Sequence, residues 1–325
     1  MNRRRFLTSV LIPAIASGLA PLRAFAQAFP TKVIKIVASS APGGNVDLDA
    51  RFLSAKFPAL LGQPAIVENR AGAAGFIGTE YVAHQPPDGH TLLVVASSHT
   101  TNRMLHSKMT LDPIKDFSPI SLLTVSPFIL SVPASSPANS VKDLIAQAKQ
   151  KPNGITYSTP GIGQGAHLGM ELLKTMAGFK ATHVPFTGTG PATVALLSNQ
   201  VDTSLLTTAG ALENVKAGKI KALAVTSKKR LQALPNVPTV EESGFADYEL
   251  LSWIGLLAPA GVPKDVVAKL ADASARTFKE PDVLAQLATL ESEPVGSTPE
   301  EFTAFLAKDV ALWERIIKEA GVQGD

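Results

Sequence analysis

Short apolar runs recur along this 325-residue chain, and several are followed by a glycine-rich turn that opens a segment of helical period. That alternation constrains the fold most. Val33-Ile34-Lys35-Ile36-Val37 reads as a first strand, and Ala65-Ile66-Val67-Glu68 and Thr91-Leu92-Leu93-Val94-Val95 fit buried parallel strands covered by helices. Strands are predicted over 33–37, 65–68, 91–95, 155–158, 182–185, 201–206, 220–226 and 252–258, with 65–68 and 91–95 read as buried and parallel. Helices are predicted from 45, over 75–83, from 140, over 166–178 and 190–199, and in the tail over 263–278, 282–290 and 299–320. Ser140 with Asp143 three residues on, and Thr298 followed by Pro299 and Glu301, are helix-start signals. The class is therefore α/β.

No repeat or low-complexity linker divides the chain, so two lobes joined by two crossings suit its length. The extended stretch 120–132, which has no helical period, and the strand 220–226 are the expected crossings. They divide the chain into a first lobe from 27–124, an inserted second lobe from 125–226, and a return to the first lobe over 227–325.

The first 26 residues read as a removable leader. Arg3-Arg4-Arg5-Phe6-Leu7 fits a twin-arginine pattern, an uncharged run extends to Leu22, and Ala24-Phe25-Ala26 is a small-x-small cleavage site, which places the mature start near Gln27. The run is shorter than the ~18–20 residues that span a bilayer, and Pro13 and Pro21 interrupt it. Removing Arg3, Arg4, Arg5 and Arg23 turns the formal charge from +3 to −1, so the basic balance belongs to the leader and nucleic acid is not an expected partner. The chain has no cysteine, which excludes disulfides, thiolate metal sites and thiol nucleophiles. A freely diffusing exported monomer is expected.

Three strand-to-helix turns carry the candidate chemistry. In Ala41-Pro42-Gly43-Gly44-Asn45-Val46-Asp47 the paired glycines permit a sharp turn, and the free N–H groups of the helix start suit a carboxylate or phosphate. Asp47 would repel an anion, so it is expected to cap the helix or hold water, and a valine at Gly43 is expected to crowd the loop. The second turn, from Ser158 to Leu168, offers Thr159, Gly161, Gln164 and His167 at another helix start. Two such sites in separate lobes could hold the two ends of a diacid. The third, Pro185-Phe186-Thr187-Gly188-Thr189-Gly190-Pro191, contributes Thr187, and Ser97 and Ser98 follow a strand that should end at the same edge as the first turn.

The G-x-G-x-x-A within 161–166 does not make a dinucleotide site, because no acidic residue ends the following strand. No G-x-S-x-G elbow, phosphate-binding P-loop or H-E-x-x-H occurs, and the histidines at 84, 90, 99, 106, 167 and 183 lack metal-ligand spacing. These histidines are expected at the surface or at helix starts. No cofactor and no metal are implied.

Several of these segments, taken in order, resemble one family. Ala41-Pro42-Gly43-Gly44-Asn45-Val46-Asp47, Val67-Glu68-Asn69-Arg70-Ala71-Gly72-Ala73, Pro87-Asp88-Gly89-His90-Thr91-Leu92, Tyr157-Ser158-Thr159-Pro160-Gly161 with His167-Leu168, and His183-Val184-Pro185-Phe186-Thr187-Gly188 are similar to signatures of the tripartite tricarboxylate transporter substrate-binding (Bug) family. Lys221 to Thr226, Val237 to Glu242, and Trp253 to Leu256 with Ala258 to Gly261 continue the register. The resemblance implies a two-lobed periplasmic binding protein, type II-like, that closes on a small carboxylate (a dicarboxylate, amino acid or aromatic acid) and docks on membrane transporter subunits or a sensor. By position it implies Gly43, Gly44 and Asn45 in one lobe and Thr159, Gly161 and Gln164 in the other. Ser97, Ser98, Thr187, His167 and Asp47 stand beside them, with Asp202 at a family acidic position. Ser39-Ser40 stand where the family usually has proline and an aromatic, which implies a roomier or more polar site. A sensory receptor and a periplasmic hydrolase are the alternatives. A Ser–His pair in the cleft would mark the hydrolase.

Overall fold

A computed structural model describes residues 29–106 and 108–322; the leader and its cleavage site lie outside them. The chain opens with three parallel strands, β1 (Ile34–Ala38), β2 (Ala65–Asn69) and β3 (Thr91–Ala96), in the order β2-β1-β3. Helices α1 (Asn45–Leu61) and α2 (Phe76–Ala83) link them. A short α3 (Ser98–Leu105) leads to β4 (Phe117–Pro133), which is 17 residues long. The second lobe alternates α4 (Val141–Gln150), β5 (Ile155–Thr159), α5 (Gly165–Ala177), β6 (Ala181–Pro185), α6 (Thr189–Leu197), β7 (Thr203–Thr207), α7 (Thr208–Lys216) and β8 (Ile220–Val225). The chain returns through β9 (Leu251–Pro259) and ends in α8 (Lys264–Thr277), α9 (Pro281–Thr289), the two-residue β10 (Glu293–Pro294) and α10 (Pro299–Ala320).

The strands form one curled mixed sheet, ordered β2-β1-β3-β9-β4-β7-β5-β6, with β8 and β10 also paired to β4. Strand β4 makes it continuous. Residues 117–127 pair antiparallel with β9, and residues 128–133 pair with β7 and β8. Pro127, which has no N–H to give to a ladder, sits where β4 leaves one lobe for the other. Beside it the fully buried Thr226 ties the crossing strands together. Its Oγ1 accepts from Phe128 N–H at 2.7 Å and donates to Leu250 O at 2.6 Å. Residues 227–250 pack on the second lobe, where Val240, Tyr248 and Leu250 join its core.

The uniform apolarity of the central strands reflects burial on both faces. Ile34, Ile36, Leu92, Val94, Ile254 and Leu256 face α1 and α8, meeting Phe52, Leu53, Phe57 and Leu270. Their alternates Val37, Leu93, Val95, Trp253 and Leu257 face Val82, Phe302 and Leu306. Strand β2 departs from expectation: it is parallel but lies at the sheet edge, and Ile66 is 51% exposed. The 22-residue α10, about 33 Å long, begins with the expected capping box between Thr298 and Glu301. It buries Phe302 and Leu306 in the first lobe and Trp313 and Ile316 in the second, so one helix is shared by both cores. No helix among the described residues is long and apolar enough to cross a membrane.

Candidate functional site

A cavity of about 960 Å³ separates the lobes at the C-terminal ends of β1, β3, β5, β6 and β7. Gly43, Gly44, Asn45 and Ser98 line it from one side, and Gly161, Gln164 and Thr187 from the other. Among the described residues, none that lines it is Asp, Glu, Lys or Arg. Its electrostatics come from backbone. Helices α1, α5 and α6 start at its wall with N-caps Gly44, Gln164 and Gly188, none of which caps the helix with a side chain. Their first-turn N–H groups and the positive ends of their dipoles therefore face the cavity. α7 differs, since Thr207 Oγ1 accepts from Gly210 N–H at 3.4 Å.

In the first loop Gly43 has φ +89°, a conformation that favours glycine. A Cβ there would meet nothing within 4 Å, so the expected crowding by valine is corrected at that atom: the strain lies in the backbone. Asp47 sits behind the loop, 3% exposed, accepting from Gly43 N–H (3.0 Å), Arg51 Nε (2.8 Å) and Asn69 Nδ2 (2.8 Å). Burial alone would raise its carboxyl, but these hydrogen bonds hold it below the ordinary carboxylate value. Asp47 thus shapes the loop and does not line the cavity.

Four successive residues next to it, Gly72, Ala73, Ala74 and Gly75, have φ of +124°, +46°, +51° and +90°. They line the cavity and were not among the sequence candidates, although the small-residue run after β2 is their signal. Left-handed alanines cost roughly 1–2 kcal/mol each, and α3 holds the turn in place. Ser98 Oγ donates to Ala74 O at 2.7 Å and Asn102 Nδ2 to the same oxygen at 3.2 Å. The Ser98 proton is thus committed to the loop. Ser97 is buried, its carbonyl accepting from Thr100 Oγ1 at 2.9 Å.

In the second loop Thr159 is fully buried beneath the turn and contacts His183 Nε2. His167, 5% exposed, accepts from Gly163 N–H through Nδ1 at 3.1 Å. Burial pushes its imidazole down to about 4. His99, like His167, is buried but stands in the first turn of its helix, one of the two positions expected of histidines here, whereas His90 is buried just before β3 and fits neither. Asp202 lies at the far end of the second lobe, at the start of β7, about 16 Å of strand from the cavity end. It accepts from Lys151 Nζ (2.6 Å) and Thr156 N–H (2.8 Å). The cavity is thus lined by Gly43, Gly44, Asn45, Ser98, Gly161, Gln164 and Thr187, while Asp47, Ser97, Thr159, His167 and Asp202 stand away from its surface. A direct bond crosses between the lobes: Thr101 Oγ1 on α3 donates to Gly163 O at 2.8 Å.

Two lobes with opposed, uncapped helix starts form a receptor geometry, and comparison with known proteins agrees. The model of the "Tripartite tricarboxylate transporter family receptor" matches residues 50–322. The chain belongs to that family. It is similar to the periplasmic binding protein BugD, at 33% identity over 91% of this chain and all of that one, with a TM-score of 0.82. It is similar to an R. palustris protein solved with adipate, at 34% identity over 91% of this chain and all of that one, TM-score 0.84. It is also similar to MatC from Rhodopseudomonas palustris with bound malate, at 32% identity over 89% of this chain and all of that one, TM-score 0.80. As a tripartite tricarboxylate transporter receptor of the periplasmic binding protein type, the chain is a solute-binding protein and not an enzyme. The hydroxyl that meets His183 is that of Thr159, buried behind the loop, which does not form a serine nucleophile in the cleft.

Proposed function

We propose that this receptor captures a small dicarboxylate by closing its lobes around it, and hands it to the membrane subunits of a tripartite tricarboxylate-type transporter. The observation that carries the reading is the opposition of uncapped helix starts, α1 in one lobe and α5 and α6 in the other, across a cavity whose described lining has no Asp, Glu, Lys or Arg. Each start offers N–H donors and partial positive charge to one carboxylate. The related structures hold adipate and malate, both dicarboxylates. Gly44, Asn45, Gln164 and Thr187 are the residues assigned to contact the ligand, with Gly161 shaping the loop beside them. On this reading the twin-arginine leader directs export to the periplasm, cleavage falls near Ala26/Gln27, and the mature protein is a monomer.

A thermal-shift screen of malate, adipate and other mono-, di- and tricarboxylates tests the assignment. A ligand at 100 times its Kd adds about 2.7 kcal/mol, which for a chain of this size raises Tm by about 4 °C. Dicarboxylates should produce the shift and their diamides should not. Absence of a shift with every acid would refute the reading.

A further inference from the structure

Behind the β5–α5 loop lies a cluster of titratable side chains that does not line the cavity. The rings of His167, in the first turn of α5, and His183, on β6, stack with centroids 3.8 Å apart and planes 13° apart. Tyr157 of β5 stacks on His183 at 5.0 Å, and its hydroxyl bonds Glu171, whose carboxylate takes Lys174 Nζ at 2.7 Å on both oxygens. Burial, with Lys174 nearby, pushes His167 down to about 4. Burial, then the neighbouring His167, pushes His183 down to about 3. Both rings are therefore neutral, and a neutral imidazole can accept a hydrogen bond.

Each ring commits a nitrogen to the loop. His167 Nδ1 accepts from Gly163 N–H at 3.1 Å. His183 Nε2 meets Thr159 Oγ1, and that oxygen accepts from Gly161 N–H at 3.3 Å. The amides of Gly161 and Gly163 are thus turned inward. Between and beside them, Ile162 N–H and the Gln164 carboxamide bond to no acceptor among the described residues, and both residues line the cavity. Ile162 is 36% exposed, so no buried side chain at the tip fixes the loop.

We propose that His167 and His183 are positioning residues that set which donors of the lobe-2 loop face the ligand. They hold the Gly161 and Gly163 amides inward and leave the Ile162 N–H and the Gln164 carboxamide to a ligand carboxylate. The inference rests on the carboxylate-receptor reading for its ligand, but not for the loop geometry. A phenylalanine at 167 would preserve the stack and lose the acceptor; an asparagine would place Oδ1 about where Nδ1 stands and lose the stack.

The test uses the full mature chain with His167→Phe and His167→Asn. In ligand-free protein the Gly163 amide should exchange with solvent slowly in the wild type and in His167→Asn, and about tenfold faster in His167→Phe, since one hydrogen bond is at stake. With adipate or malate as probe, His167→Phe should bind about tenfold more weakly, and His167→Asn should recover most of that loss. Equal Gly163 exchange in wild type and His167→Phe overturns the proposal, as does a parallel loss of affinity and Tm in both variants, which would mark simple packing. If neither acid shifts the wild-type Tm, the ligand assignment fails, and the exchange comparison still decides the positioning claim.

Discussion

Asp49→Asn is expected to change how stability depends on pH. Asp49 is buried in α1, and its carboxylate oxygen accepts from Thr124 Oγ1 at 2.6 Å. Thr124 is on β4 and pairs with Ile254 of β9, so this carboxyl touches the strands that join the lobes. Burial pushes it up from the ordinary 3.8 to about 7, with the Thr124 bond only partly opposing. Because the folded pKa is raised, the folded state binds more protons than the unfolded chain between those values. The stability contribution is full below about pH 4 and is lost as pH rises to 7, a loss of about 4 kcal/mol.

Asparagine cannot ionise, and it keeps an acceptor for Thr124 while burying an unpaired N–H, which costs about 1–3 kcal/mol at every pH. The difference between variant and wild type should therefore move by about 3 kcal/mol in the variant's favour between pH 5 and pH 8, whatever the fixed cost. Asp309 on α10 has the same sign over a lower window. Burial pushes it up to about 6, Thr100 Oγ1 donates to it at 2.6 Å, and the indoles of Trp253 and Trp313 lie beside it. Its slope below about pH 6 should survive in Asp49→Asn. The assay is urea unfolding at pH 5, 6, 7 and 8, followed by the fluorescence of the chain's two tryptophans. Parallel stability-versus-pH lines for wild type and Asp49→Asn would refute the reasoning.

Gly43→Val should weaken dicarboxylate binding through the backbone, because φ +89° costs a β-branched residue roughly 1–2 kcal/mol. Titration calorimetry should show a loss of about tenfold with Tm lowered by no more than about 2–3 °C, and unchanged affinity would remove the first loop from the site. Thr101→Val deletes the bond from α3 to Gly163 O and leaves a buried carbonyl unpaired. Small-angle scattering of the ligand-free variant should show a larger radius of gyration; an identical profile would show that this bond does not hold the lobes together.

The elements that could be read from sequence are those whose determinants are local. Leu92, Leu93, Val94 and Val95 announce a strand covered on both faces, and Thr298 with Glu301 announces α10 by satisfying its own first-turn amides. Ser140 likewise accepts from Asp143 N–H, as its spacing predicts. α3 gave no such signal. Its Ser98-His99-Thr100-Thr101-Asn102 run is polar yet buried apart from Ser98, and its partners are Ala74 O, Asp309 and Gly163 O, all distant in sequence. The edge position of β2 is also a property of the assembled sheet. At the site, glycines marked where backbone could approach a ligand. Which amides remain free depends on Asp47, His167 and Thr159, each reaching back from outside its turn, and composition does not display that.

A cavity with no Lys or Arg among its described lining residues suits a receptor that must both capture and release. A buried cation would strip water at a cost of several kcal/mol in the open protein, and it would hold any anion in either state. Helix starts carry about half a positive charge each, and their N–H groups are oriented by the fold without ordering a long side chain. With α1 in one lobe and α5 and α6 in the other, the proposed diacid would meet only one set of helix starts in an open cleft. On that proposal the second set of hydrogen bonds forms on closure and supplies the differential affinity that drives it. A monoacid engages one set, gains little from closing, and should be discriminated against by the fold's symmetry of donors more than by any single residue.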